Sequence, residues 1–390
     1  MKFSTLLEQV RKNVQTYIII FALIAIWGVF AIGTSGAYFS PQNISNLFRQ
    51  MTVTSFLAIG MVLVMVTGGI DLSVGKMAGF VSVIVARFQK DVWFAIIPDQ
   101  PILAAFLSVI VGIIVGLLFG SFQAYIIAYL RVPSFIVTLG GQFILSGGIL
   151  LATQGKTVAA NQEGFSFIGQ GYFRPPYDWI LGILVVLILF GLMLLNRRNK
   201  IKYGFELKPL LQDVLRTAFF SILILVYMVI VNRFNGVPIP VIILAIAAIL
   251  VSYISTNTKF GRYAYAIGGN REAARLSGIN IKKQIFMIFG LMGLLCGVSG
   301  IVLASYVGYG TISAGQGYEL DAIASCVLGG TSTLGGSGTI FGALVGALIM
   351  TSLNTGLQMM NVAPAWQYVL RGFVLVLAVV IDVYFKKSTD

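Results

Sequence analysis

Histidine is absent from the 390 residues of this chain, and charged residues make up only 10% of it. Without histidine, the chain lacks the side chain that most often serves as a general base or metal ligand near neutral pH. Cysteine is nearly absent too, since only Cys296 and Cys326 occur, both in apolar segments. The sequence therefore excludes chemistry that needs an imidazole side chain. The two cysteines are interpreted as packing residues, and they do not indicate a redox compartment.

Apolar residues are abundant instead, at 58% of the chain, and the mean hydropathy is +0.93. Soluble domains hold about 45–50% apolar residues, and a helix of roughly 17–25 apolar residues crosses a bilayer. We therefore predict an all-α, polytopic transmembrane bundle of about 10–12 spans that forms one domain over 1–390. The expected spans are 17–34, 47–67, 72–89, 102–130, 134–153, 178–195, 217–232, 240–255, 284–307, a broken, re-entrant region at 320–360, and 365–385.

The basic residues predict how the chain is oriented. The net charge is +13, but basic residues of membrane proteins collect in cytoplasmic loops, so this charge does not indicate nucleic-acid binding. Two basic loops, about 196–216 and 256–283, are predicted to be cytoplasmic. Counting spans from these loops places both termini in the cytoplasm, where further cations occur at Lys2, Arg11, Lys12, Lys386 and Lys387.

Two glycine-rich stretches resemble one another. "VTGGIDLSVG" begins at Val66 and "VLGGTSTLGG" at Val327, and each has a Gly-Gly pair, five residues and another glycine. Both are predicted where the chain turns at the inner side, so they form either a weak internal repeat around a pathway or a coincidental match. The kink or gate candidates are Gly68, Gly69, Asp71, Gly75, Gly329, Gly330 and Gly336.

The first stretch is not a nucleotide-binding loop. A phosphate-binding loop has the pattern G-x-x-x-x-G-K-[ST], whereas Ile70 lies five residues before Gly75 and Met77 follows Lys76. Two readings of Asp71 remain. It either caps the following helix through its carboxylate or belongs to a gate, and the cap is the simpler role.

A short helix is predicted in the second basic loop. Asn270 is a good cap, Glu272 suits the positive end of a helix dipole, and Gly278 can end the helix. A helix of about two turns needs a packing partner, which is either anionic lipid or another protein. The small apolar face formed by Ala273, Ala274 and Leu276 favours a protein. The predicted docking helix comprises Asn270, Arg271, Glu272, Ala273, Ala274, Arg275, Leu276, Ser277 and Gly278.

Four motifs carry a family resemblance. They are "SPQNISNLFRQMTVTSFLAIGMVLVMVTGGIDLSVG", "RVPSFIVTLGG", "YAIGGNREAARLSGIN" and "ELDAIASCVLGGTSTLGGSGTIFGALVGALIM". Together they resemble the membrane permease of bacterial ABC importers for simple sugars, the ribose, xylose and galactose group. The chain is most similar to xylose-type or multiple-sugar permeases, because of its length and its extra segment around 196–240.

The resemblance implies a set of partners. These are a second permease copy, two cytoplasmic ABC ATPase subunits and an extracytoplasmic sugar-binding protein, in a bacterial inner membrane. It also implies that 270–278 is the coupling helix that docks on the ATPase. ATP and Mg²⁺ would bind the ATPase, with no cofactor on this chain. Residues expected to meet the external binding protein are Lys156, Arg174, Arg233, Glu319 and Asp321.

The expected activity is therefore uptake of a neutral monosaccharide by alternating access, D-xylose or a related aldose. Uncharged polar side chains within apolar spans suit such a solute, because a strongly binding site would trap it. Helix-to-helix hydrogen bonds, worth about 0.6 kcal/mol each, explain any single one equally well. The candidates are Gln50, Gln123, Gln142, Asn354 and Gln367.

Two other functions stay open. One is an ABC permease for another small solute. The other is an autonomous ion-coupled sugar transporter, which usually buries a carboxylate for its ion. Against this, Asp71, Asp321 and Asp382 are predicted near membrane edges. A third function, a membrane enzyme, lacks a plausible set of catalytic residues, because histidine is missing and few acids are clustered.

Overall fold

The computed structural model describes residues 14–207 and 209–387, with side chains from 21 to 380 except at 208. The predicted amino-terminal cations, Lys2, Arg11 and Lys12, lie outside the described residues. The side chains of Asp382, Lys386 and Lys387 also lie outside them.

The described chain is almost entirely helical. The helices are α1 (Val14–Gly33), α2 (Pro41–Val66), α3 (Val74–Arg87), α4 (Phe94–Ile96), α5 (Pro101–Ala128), α6 (Ser134–Thr153), α7 (Glu163–Gln170), α8 (Tyr177–Lys202), α9 (Leu210–Asn232), α10 (Ile239–Asn257), α11 (Lys259–Gly269), α12 (Arg271–Leu276), α13 (Ile281–Val307), α14 (Tyr318–Leu328), α15 (Ile340–Met359) and α16 (Pro364–Lys387). The strands are β1 (Val158–Ala159), β2 (Tyr172–Phe173), β3 (Val237–Pro238) and β4 (Tyr309–Gly310).

The predicted all-α polytopic bundle is confirmed. Eight described helices are long and apolar enough to cross a membrane: α2, α5, α6, α8, α9, α10, α13 and α15. Shorter apolar segments lie in α1 and α16. A π-helical segment, Phe88–Trp93, joins α3 to α4 into one further helical run.

The predicted broken region at 320–360 is a short helix followed by a long one. Helix α14 has 11 residues, too few to span a bilayer. The irregular segment before it, 311–317, lies against α3, where Gly75 and Gly79 leave room for its backbone.

The predicted loop 196–216 is mostly helical, which corrects its boundaries. Helix α8 runs on to Lys202 and α9 begins at Leu210. Lys200 and Lys202 lie in the last turn of α8, and Asp213 lies in the first turn of α9. These charges oppose the partial charges at the helix ends and so extend both helices beyond the apolar span.

Two helices form the centre of the bundle. In the apolar 18-residue stretch of each helix, 83% of the residues of α2 and 72% of those of α13 are buried, against 11% in α8. Helix α13 packs closely on α5, because Gly116 and Gly120 of α5 face Gly293 and Gly297 of α13. Small residues spaced four apart allow helix backbones to approach in a membrane.

Two small antiparallel sheets lie at the end of the bundle away from the basic loops. Strand β1 pairs with β4, and β2 pairs with β3. They connect the segment between α6 and α8 to the chain after α9 and after α13. We call this segment and its two sheets the outer cap.

Candidate functional site

The two glycine stretches that resemble each other in sequence are joined by a hydrogen bond. The amide of Gly336 donates to the carbonyl oxygen of Val66 at 2.9 Å. Gly68 and Gly336 have φ angles of +78° and +77°, a conformation that glycine adopts at low cost. The end of α2 is therefore attached directly to the turn before α15.

Helix α11 rests on both turns. A Cβ atom at Gly268 would overlap the carbonyl oxygen of Val66 and lie 2.5 Å from the nitrogen of Gly336. The Tyr265 hydroxyl donates to the carbonyl of Gly338 at 2.7 Å, and burial raises the pKa of Tyr265, which keeps it a donor. We call this contact of Val66–Gly68, Tyr265–Gly268 and Gly335–Gly338 the glycine junction.

Asp71 is not the cap of the following helix. Ser73 occupies that position, without a side-chain cap bond, and Asp71 Oδ1 accepts the Ser73 amide at 2.9 Å. This local turn is typical of aspartate, and Asp71 is only 1% exposed. Ser73 Oγ also lies 3.1 Å from Gln123 Oε1, so the path candidate Gln123 belongs to this buried cluster.

The predicted helix after Gly269 forms with the predicted ends. Asn270 Oδ1 accepts the Ala273 amide at 2.9 Å, and Gly278 has φ +82°. The helix has 6 residues, fewer than two turns. Together with α11 it fills the loop between α10 and α13.

The apolar face predicted for this helix is corrected by the structure. Ala274 is 4% exposed and packs against its own chain, whereas Leu276 is 78% exposed. The exposed side also carries an ion pair between Glu272 and Arg275. A helix with this geometry exposes a leucine and charged groups, not a flat alanine face.

Two path candidates contact buried acids. Gln142 Nε2 lies 3.4 Å from Glu319 Oε1, and Asn354 Nδ2 lies 3.4 Å from Asp321 Oδ2. Arg371 Nη1 lies 3.6 Å from the same Asp321 oxygen. We call these five residues the polar layer. A third path candidate, Gln123, contacts Ser73 rather than an acid.

The placement of the two acids corrects their predicted role. Glu319 and Asp321 are 8% and 4% exposed, so they do not lie on a surface that meets an external protein. Lys156, Arg174 and Arg233, expected to share that role, are exposed at the outer cap. Asp71 and Asp321 are both buried inside the bundle, and their predicted depth near the membrane edges stays a prediction.

The polar layer has hydrogen-bonding capacity left over. Glu319 Oε2, Asn354 Oδ1 and Arg371 Nε are buried without a hydrogen-bond partner in the described part of the chain. Buried polar atoms are normally paired, and those that are not invite an explanation such as water or a ligand. A hydroxyl-rich solute can supply such partners.

The other two path candidates lie elsewhere. Gln367 donates to the carbonyl of Val362 at 2.8 Å and so closes the turn before α16. Gln50 is half-buried on α2. Its neighbour Arg49 lies between the rings of Tyr172 and Tyr306, at 5.4 and 5.1 Å.

Sequence reasoning missed Arg49 and Arg371. Each is a cation within an apolar helix, and an ionisable residue in a membrane span is by itself a sign of a functional position. That signal was present in the sequence.

Comparison with known proteins gives the family. A family model described as a branched-chain amino acid transport system / permease component matches residues 43–379. This chain belongs to that permease family.

Curated relatives align along nearly the whole chain. The xylose transport system permease protein of Haemophilus influenzae is 42% identical over 378 residues, which cover 96% of this chain and 98% of the relative. That of Escherichia coli K12 is 41% identical over 377 residues, covering 97% and 94%. The ribose import permease protein of Bacillus subtilis is 32% identical over 348 residues, covering 89% and 86%. No solved structure matches.

The family settles several predictions. The permease is a multi-pass inner-membrane protein and a transport component rather than an enzyme. Membership implies that it works with ATPase and substrate-binding components.

A single methyl group tests the glycine junction. Gly268→Ala should lower the thermal unfolding midpoint of the purified permease in detergent, because overpacking costs about 1–3 kcal/mol and the nearby atoms are backbone. Gly269→Ala is the matched control, since nothing lies within 4 Å of a Cβ there. Equal midpoints for the two variants would contradict the close contact.

Proposed function

We propose that the permease is the transmembrane subunit of an ATP-driven ABC importer that takes up D-xylose or a related aldose. The observation that carries the mechanism is the glycine junction, where the segment leading to α12 contacts two glycine turns. The similarity to xylose permeases over 96% of the chain supports the choice of sugar. ATP and Mg²⁺ bind the partner ATPase.

The coupling helix is α12, with Asn270 and Gly278 at its ends. Closure of two ATPases displaces α12, and α11 transmits that displacement to the end of α2 and the turn before α15. Positive φ angles occur in these turns at Gly68, Gly330 and Gly336. Glycine gives the turns a backbone conformation that most other residues rarely adopt. The difference in binding energy between the two states drives the switch.

The sugar passes along the polar layer. Carboxylate, amide and guanidinium groups bond hydroxyl groups directly, and spare bonding capacity lies at Glu319, Asn354 and Arg371. Each sugar hydroxyl exchanges a bond to water for a bond to protein, at little net free energy. The layer therefore lets the solute through without trapping it.

The remaining partners follow from the same assignment. The sugar-binding protein docks on the outer cap, where Lys156, Arg174 and Arg233 are exposed. A second copy of the permease completes a homodimer, with one ATPase for each copy.

One observation favours a second function. The buried acids Glu319 and Asp321 are groups that an ion-coupled transporter would use. The relatives, however, are permease proteins of transport systems. The burial of Glu319 and Asp321 is accounted for by their contacts with Gln142, Asn354 and Arg371. The ATP-driven importer is therefore the better assignment.

Reconstitution separates the two functions. In proteoliposomes that hold the permease, its ATPase and its sugar-binding protein, radiolabelled D-xylose should accumulate when ATP is supplied to the ATPase side. Permease alone should give no accumulation under a proton or sodium gradient. Gradient-driven accumulation without ATPase would establish ion coupling instead, and preference for D-ribose over D-xylose would change only the substrate.

The exposed leucine of α12 tests the coupling helix. Leu276→Glu should reduce ATPase stimulation by loaded binding protein at least tenfold, because a carboxylate replaces an apolar contact at the docking surface. Leu207→Glu is the matched control, since Leu207 is an exposed leucine in the other cytoplasmic loop. Normal stimulation in the Leu276 variant would remove α12 from the coupling role.

A pair of glutamines tests the pathway. Gln142→Ala should slow D-xylose uptake several-fold, because Glu319 loses its amide partner. Gln367→Ala serves as the control, since within the described residues that amide bonds the local backbone of Val362 and no acid. Similar uptake rates in both variants, at equal amounts of inserted protein, would exclude Gln142 from the path.

A further inference from the structure

A cavity lies between α8 and α9, away from the glycine junction and the polar layer. Its volume is about 340 Å³, within the range of small-ligand pockets. The lining residues are Leu189, Leu192, Met193, Asn196, Arg197, Lys200, Asp213, Arg216, Thr217 and Phe220.

The lining follows from the helical period. On α8 the residues from Leu189 to Lys200 recur at steps of three and four, so they lie on one face. On α9 the residues from Asp213 to Phe220 do the same. The α8 stripe is about 16 Å long at 1.5 Å per residue.

The stripe changes chemistry along its length. Its deeper part is apolar, with Leu189, Leu192 and Met193 on α8 and Phe220 on α9. Its cytoplasmic part is cationic, and the change occurs where the apolar run of α8 ends at Leu195. The cavity therefore crosses the boundary between the hydrocarbon and the inner headgroups.

The cationic part has an excess of positive charge. Arg197 is paired with Asp213, which leaves the charges of Lys200 and Arg216 uncompensated by any acid in the lining. Lys200 and Arg216 are both exposed. The cavity wall thus carries a net charge of about two positive units above an apolar floor.

We propose that this cavity binds an anionic phospholipid of the inner leaflet. The phosphate lies between Lys200 and Arg216, and an acyl chain runs along the leucines, Met193 and Phe220. Basic pockets between transmembrane helices on the cytoplasmic side suit such headgroups, and each basic residue near the surface adds attraction to anionic lipid. A second copy of this chain would present the same cations, so it lacks the complementary charge.

The position of the cavity gives the bound lipid a structural consequence. The ring of Phe220 meets the ring of Phe341 at 6.1 Å, edge to face. Phe341 is the second residue of α15, just after the glycine junction. A lipid held against Phe220 therefore supports the α9 surface on which the start of α15 packs.

Native mass spectrometry of the full-length permease tests the proposal. The purified protein is delipidated and titrated with phosphatidylglycerol, with phosphatidylcholine of the same chains as the zwitterionic comparison. Wild-type protein should retain phosphatidylglycerol at least tenfold more tightly than phosphatidylcholine, and inorganic phosphate at millimolar concentration should not displace it.

Three variants locate the site. Lys200→Gln with Arg216→Gln should weaken phosphatidylglycerol binding about tenfold. Lys282→Gln with Lys283→Gln removes the same charge from exposed lysines at the cytoplasmic end of α13, and it should bind like wild type. Met193→Trp fills the apolar floor and should also weaken binding while every cation remains.

Several outcomes would overturn the proposal. One is equal loss in both double variants, which would indicate diffuse attraction to any basic surface. Unchanged phosphatidylglycerol binding in Met193→Trp would show that no acyl chain contacts the apolar floor. Equal affinity for the two lipids would show that the cations do not recognise the headgroup. If the Lys200 and Arg216 variant fails to give a monodisperse protein, the Met193 variant decides alone.

Discussion

Direct backbone contact between Gly336 and Val66 is the constraint on which one end of the permease, the end near the basic loops, depends. At this point three chain segments meet with no side chain between them, because Gly268 also presses against Val66. A hydrogen bond of this kind contributes about 0.5–1.5 kcal/mol net. That is enough to hold one arrangement and small enough to be exchanged for another during a transport cycle.

Buried charge imposes the second constraint. Glu319, Asp321 and Arg371 lie within the helical bundle, where an unpaired charge is expensive. Amides from Gln142 and Asn354 offset part of that cost without neutralising the site. A layer that keeps unfilled bonding capacity in apolar surroundings is better suited to a passing polar solute than to a permanent structural contact.

Much of the fold was predictable because it depends on local properties. Apolar runs fixed most spans to within a few residues, and Asn270 and Gly278 fixed the ends of α12 because caps act through their own backbone. The recognition of the family from its motifs was also correct. These features need no knowledge of which helix packs on which.

The wrong predictions concern which side chains are buried and which face of a helix packs against the bundle. A local sequence pattern does not determine either. Glu319 and Asp321 were expected at the surface, but they are buried because the irregular segment 311–317 brings the start of α14 into the bundle. Averaging hydropathy along the chain assumes a continuous helix and so does not detect such an interruption. Ala274 was expected to face a partner, yet in so short a helix the packing neighbour decides which side is buried. Asp71 was expected to cap α3, but Ser73 lies closer to that helix and takes the position.

The outer cap differs from the glycine junction in how its parts are connected. Two strand pairings link the chain before α8 to segments far along the sequence, whereas at the glycine junction α2 meets the turn before α15 through one backbone amide. Rigid-body tilting pivots where connections are most numerous, so we expect the helices to rotate about the outer cap. Helix α13, with 27 residues, is about 40 Å long at 1.5 Å per residue. A shift of about 2 Å at the end of α13 next to α12 then corresponds to a rotation of roughly three degrees, which a packed bundle accommodates without remodelling the outer cap.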